Sequence, residues 1–89
     1  MKNLFLIFFI IFILSLQGTV FAFEKGEERF YVAVKAFNDG FYEASLSLFK
    51  KFLDDFSENP YKYEAKLYSA KCYYHMENYP EALNILIEL

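Results

Sequence analysis

Apolar side chains recur at three- and four-residue steps through Gly40 to Pro60, GFYEASLSLFKKFLDDFSENP. Ser45, Leu48, Phe49, Phe52, Leu53 and Phe56 stack on one face of a helix, and Lys50, Lys51, Asp54 and Asp55 make a solvated back. Gly40 opens the stretch and Pro60 closes it, since neither is comfortable in a helix interior. The pattern before it predicts a helix from about Glu24 to Asn38, with Phe30, Val34 and Phe37 as its stripe and Ala33 and Ala36 beside it. Asn38-Asp39-Gly40 is a stop signal, because glycine takes the left-handed conformation past a last turn at no steric cost. A third helix is expected from about Pro60 to Met76, capped by Asn59, with Ala65, Leu67, Tyr68, Ala70, Cys72, Tyr73 and Tyr74 as a broad seam. Glu77-Asn78-Tyr79-Pro80 repeats the break, Glu81 suits the positive end of a helix, and Ala82, Leu83, Leu86 and Leu89 begin a fourth helix. Alternation is absent, so no strand competes.

The N-terminal stretch follows another rule. Lys2 precedes an unbroken apolar run from Leu4 to Leu14, and Val20-Phe21-Ala22 offers small or modest residues before a cut after Ala22. A positive end, apolar middle and small-residue exit predict a signal peptide over residues 1–22, hence a periplasmic or secreted protein. The alternative is an uncleaved inner-membrane anchor over Leu4 to Phe23, although Ser15, Gln17, Gly18 and Thr19 make a poor membrane core. Residues 23–89 then form the only domain, with 8 Lys and Arg against 12 Asp and Glu. Those charges are interspersed, so nucleic acid is not an expected partner, and a membrane is one only if the leader stays attached.

Repetition decides the fold class. A shift of 37 residues lays the second helix pair on the first: Phe30 on Leu67, Tyr31 on Tyr68, Ala33 on Ala70, Phe37 on Tyr74, Tyr42 on Tyr79, Ser45 on Ala82, Leu46 on Leu83 and Phe49 on Leu86. Small residues recur where helices cross and large ones where gaps must be filled. The expectation is all-α: an α-solenoid of antiparallel helix pairs, with units of about 25–59 and 60–89 and the second incomplete. Leu89 corresponds to Phe52, so counterparts of Leu53 and Phe56 are expected to follow, either in a longer protein or replaced by self-association.

Gly40 to Leu46 and Asn78 to Leu83 resemble the tetratricopeptide turn, Gly-x-Tyr-x-x-Ala-Leu, and Ala65 to Tyr74 resembles the first helix of such a unit. Glu77 stands where the turn glycine is expected, Ser45 replaces the usual alanine, and Ala36 stands where Tyr73 does. The long repeat and the FxxFLxxF run from Phe49 to Phe56 are similar to bacterial envelope members: the outer-membrane assembly lipoprotein of the barrel-insertion machinery and the periplasmic coordinator of Tol–Pal. No cysteine follows the leader for lipid attachment. The resemblance implies packing roles for Ala33, Tyr42, Ser45, Phe49, Phe52, Ala70, Tyr73, Tyr79 and Ala82. It implies a concave groove lined by Phe30, Val34, Phe37, Asn38, Leu67, Lys71, Tyr74 and His75 that receives a segment of another protein. It implies an exported, non-catalytic scaffold for cell-envelope assembly or maintenance. The alternative is a membrane-anchored helical adaptor whose activity lies beyond residue 89.

Candidate chemistry adds little to this picture. Cys72 and His75 are the only thiol and imidazole, three residues apart on one predicted helix, with no third group to orient the histidine and too few ligands for zinc. Cys72 reads as a small packed side chain. The adjacent carboxylates Glu27-Glu28 and Asp54-Asp55 point to different sides of their helices. The expectation is no enzyme, no metal and no cofactor.

Overall fold

The computed structural model describes residues 2–89, with side chains for residues 3–13 and 25–89. The described residues form four helices and no strand: α1 (Lys2–Asn38), α2 (Tyr42–Asp55), α3 (Lys62–His75) and α4 (Tyr79–Glu88). The first helix differs from its expected start near Glu24, because it runs unbroken from Lys2. No proline interrupts it, and each helix-interior glycine costs only about 1 kcal/mol against alanine. Side chains of the Val20-Phe21-Ala22 cleavage motif lie outside the described residues. Among the described residues no helix is long and apolar enough to cross a membrane.

Each helix packs on the next, and α1 also touches α3. Pairings between α1 and α2 run in opposite directions: Phe37 meets Tyr42, Ser45 meets Ala33, Phe30 meets Phe49 and Arg29 meets Asp55. The same holds between α2 and α3, where Tyr42 stacks on His75 and Phe49 on Tyr68. By contrast α1 and α3 run in parallel, with Phe30 on Tyr68 and Phe37 on His75.

The core comprises Phe30, Ala33, Leu46, Phe49, Phe52, Ala65 and Cys72. Small residues set its closest approaches. Ser45 is fully buried and donates its hydroxyl to the Ala33 carbonyl at 2.9 Å, so its polarity is satisfied at the α1–α2 crossing. Gly26 serves a different contact, since a Cβ there would stand 2.7 Å from Asn59 Nδ2 and 3.1 Å from Phe56 Cδ1. The α2–α3 loop therefore lies against α1 at a point where only glycine leaves room. Asn59 Oδ1 accepts the Tyr61 N–H at 2.9 Å, and regular helix begins at Lys62, two residues later than expected. Arg29 ties the base of α1 to Asp55 at 2.6 Å, a half-exposed pair worth at most about 1 kcal/mol.

The turn after α1 recurs after α3 bond for bond. Phe41 N–H reaches Ala36 O at 2.9 Å, and Asn78 N–H reaches Tyr73 O at 2.8 Å. Gly40 N–H reaches Phe37 O, and Glu77 N–H reaches Tyr74 O, both at 3.0 Å. Gly40 has φ 85° and Glu77 has φ 63°, the single non-glycine with positive φ among the described residues. A side chain in that region is strained by about 1–2 kcal/mol. Glu77→Gly is therefore expected to raise the unfolding free energy by about 1 kcal/mol, part of the relief being offset by the freer unfolded chain. Urea denaturation followed by circular dichroism checks this, and an unchanged or lower midpoint would count against strain at Glu77.

Candidate functional site

The side of α1 and α3 turned away from α2 is open, and the structure divides the expected groove residues across three places. Asn38 of α1 and Lys71 of α3 are exposed there and Val34 is half-buried beside them against the core, whereas His75 turns towards α2, stacked on Tyr42 and edge-on to Phe37. Phe30 does not belong there. It is only 3% exposed and is surrounded by Phe49, Phe52, Tyr61 and Tyr68. Phe37 is half-buried against the core, wedged among Tyr42, Tyr68 and His75. Both point into the α1–α2–α3 junction because their stripe is the one that buries α1. Leu67 and Tyr74 share one side of α3 beside α4, where Tyr74 meets Tyr79 at 5.4 Å.

Among the expected packing residues, Ala33, Ser45, Phe49, Phe52, Ala70 and Ala82 are buried, and Tyr42 and Tyr73 are half-buried. Tyr79 is exposed.

Three further residues of the open face, Glu27, Tyr31 and Tyr61, meet in a way that helical periodicity does not predict. The Tyr31 and Tyr61 hydroxyls lie 3.3 Å apart, and Tyr61 Oη donates to Glu27 at 3.4 Å. Tyr61 also stacks on Phe30 at 4.5 Å, with an interplanar angle of 11°. Its hydrogen bond with Tyr31, helped by desolvation and the Glu27 charge, pushes its pKa up to about 12. Lys71 lies over the Tyr68 ring at 5.1 Å, and His75 stacks on Tyr42 at 4.3 Å. Tyr61 precedes the regular part of α3, so no helical stripe in the sequence signals its meeting with Tyr31. Phenol hydroxyls, an ammonium and ring faces together suit a peptide's backbone carbonyls, carboxylates and apolar side chains.

Cys72 and His75 lie in different surroundings. Cys72 is fully buried between α2 and α3, and burial raises its thiol pKa, with a hydrogen bond to Ser45 partly opposing. His75 lies outside on the aromatic stack. The Cys72 thiol is expected to react with a disulfide reagent roughly a hundredfold more slowly in the folded chain than in urea, because reaction waits for opening. Equal rates in the two states, followed by the absorbance of the thiolate released from an aromatic disulfide, would show the thiol to be accessible. Among the described residues no group of three or more His, Cys, Asp or Glu could hold a metal ion.

Opposite the open face, a cleft of about 300 Å³ between α2, α3 and α4 is lined by Lys50, Lys66, Tyr73, Glu81, Ile85 and Glu88, among others. Lys50 lies over the Tyr73 ring at 5.3 Å, and the Tyr73 hydroxyl raises its pKa. Its lysines and glutamates alternate in sign, so the cleft has no single-sign field to concentrate a charged ligand. Comparison with protein-family models, curated proteins and solved structures finds no match to this chain.

Proposed function

We propose that the chain is a tetratricopeptide-like solenoid segment that binds a segment of another protein along the open α1–α3 face. The observation that carries this reading is the recurrence of the same left-handed turn at Gly40 and Glu77, with the same backbone bonds around it. A turn repeated at the unit spacing sets successive helix pairs at a fixed rotation, and stacked pairs of that kind present a continuous face. Tyr31, Tyr61 and Lys71 supply the polar and aromatic contacts, and Val34 supplies apolar floor. On this reading the protein works by binding and has no catalytic role. The leader-like pattern of residues 1–22 supports a periplasmic or secreted location and a scaffold role in envelope assembly or maintenance.

A second reading draws on α1 itself. One unbroken helix joins the exposed apolar side chains of Leu4 to Ile13 to the core at Phe30 and Ala33. If the leader is retained, it would hold the domain against a bilayer as an anchored adaptor. The intact mass of the natively expressed protein separates the two, because removal of residues 1–22 leaves a chain starting at Phe23.

Site-specific photocrosslinking tests the binding face. A benzophenone side chain in place of Tyr31 or Lys71 is expected to give a discrete crosslinked species in living cells. The same group in place of Lys51, on the exposed back of α2, is expected to give none. Identical products from all three positions, or no product from Tyr31 and Lys71, would overturn the assignment.

A further inference from the structure

The open α1–α3 face is polarised along its length. Its two helices run in parallel, so positions 37 residues apart stand at the same height. Glu27 and Glu64 make one level, Tyr31 and Tyr68 the next, and Val34 and Lys71 the third. The seven positions from Glu64 to Lys71 span about 10 Å of helix axis. At the acidic end the hydrogen-bond chain has a direction. Tyr61 Oη gives its one proton to Glu27 at 3.4 Å, so Tyr31 Oη is the donor across its 3.3 Å contact with Tyr61. Both phenol protons are spent inward. That end therefore offers an occupant the Tyr31 lone pairs, two carboxylates and the half-exposed Tyr31 ring. Lys71 is the opposite case, an ammonium that only donates, held over the Tyr68 ring at 5.1 Å. Neither neighbouring cation alters the pattern: His75 is stacked on Tyr42, and Lys35 is paired with Asp39 at 3.3 Å.

The tyrosines between the two ends select the conformation of the occupant. A helix has spent its backbone groups internally, whereas a polyproline II segment has no internal hydrogen bonds and docks on ring faces. One turn of that segment takes three residues and advances about 9 Å, close to the interval between the charged levels. It brings side chains three residues apart to the same side. Building on the binding-face reading above, we propose that the α1–α3 face takes a polyproline II segment of a partner protein carrying both charges. A cationic side chain lies against Glu27 and Glu64, and a carboxylate three residues away lies on Lys71. A segment of single charge sign would be repelled at one end, which gives the face its selectivity.

The test uses the full chain in non-ionic detergent micelles, which shield Leu4 to Ile13, at low salt. The probes are dye-labelled peptides with blocked ends and the cores Lys-Pro-Pro-Glu, Glu-Pro-Pro-Lys and Gln-Pro-Pro-Gln. Fluorescence anisotropy is expected to saturate for one mixed-charge order with a Kd below about 1 mM. The neutral peptide is expected to bind about fivefold more weakly or worse, the scale of one exposed ion pair. Lys71→Glu is expected to weaken the mixed peptide by a similar factor and to make a Lys-Pro-Pro-Lys peptide the tighter ligand. Lys71 is exposed, so this variant is expected to retain the parent's circular dichroism; should it not, Glu64→Lys with a Glu-Pro-Pro-Glu peptide gives the mirror reading. Equal binding of the neutral and mixed peptides overturns the charge assignment and leaves the face a binding surface. Failure of every peptide to saturate up to about 1 mM also overturns it. A crosslink from Tyr31 in cells then shows that the broader reading survives, and its absence removes both. Sedimentation of the chain as a dimer that Lys71→Glu disperses would put a second copy on the face, and overturns the proposal likewise.

Discussion

Replacing Phe49 by alanine is expected to lower the unfolding free energy by about 3–5 kcal/mol, a large part of what a domain of this size possesses. Phe49 is fully buried at the meeting of three helices, packed edge-on against Phe30 at 5.8 Å and stacked on Tyr68 at 5.1 Å. Removing the ring deletes contacts to α1 and α3 at once and leaves a cavity that neither helix can close without moving the other. Thermal unfolding followed by far-ultraviolet circular dichroism reads the result. At about 4–8 °C per kcal/mol for a small domain, the midpoint should fall by well over 10 °C. A shift below about 4 °C, less than a single kcal/mol, would mean that the junction relaxes around the gap.

Phe30→Ala is expected to cost a similar amount, about 3–5 kcal/mol, and here the result also chooses between two placements. The resemblance to a groove-forming repeat puts Phe30 on the binding surface; the structure puts it under Tyr61 at 4.5 Å and beside Phe52 at 5.7 Å. A surface aromatic would cost binding and leave stability within about 0.5 kcal/mol. A core aromatic costs stability first. Urea unfolding of Phe30→Ala beside Tyr31→Ala makes the comparison internal, because Tyr31 is its exposed neighbour on the same helix. Only Phe30→Ala should show the large loss. Equal, small losses in both variants would return Phe30 to the surface.

Phe30 and Phe37 show why groove residues are hard to read from a repeat. They recur with Leu67 and Tyr74 at one spacing, and a repeat marks equivalent positions without saying which are covered. In the first unit the row is buried because α3 lies on it. In the second the same row is exposed among the described residues. Exposure at these positions depends on a neighbour far away in sequence, which local periodicity does not report. Tyr61 was hidden for a related reason. It sits in a turn, outside any helical stripe, and reaches Tyr31 and Glu27 only because the α2–α3 loop folds against α1 at Gly26.

Helix number, helix type and the breaks at Gly40, Pro60 and Glu77 to Pro80 were determined by sequence alone, because capping and backbone strain act within a few residues. So was the candidacy of Phe49, Phe52 and Ala33 for the core, since each lies on its helix's apolar seam. The length of α1 was not legible, because a change from leader-like to amphipathic composition carries no stop signal for the backbone. Only the tertiary structure decided that Phe30 lies inside while Tyr31 lies outside, and that Cys72 is buried while His75 is exposed. Each of those depends on which helix lies beside which, a long-range outcome of packing three aromatic-rich faces together that no single stretch of chain contains.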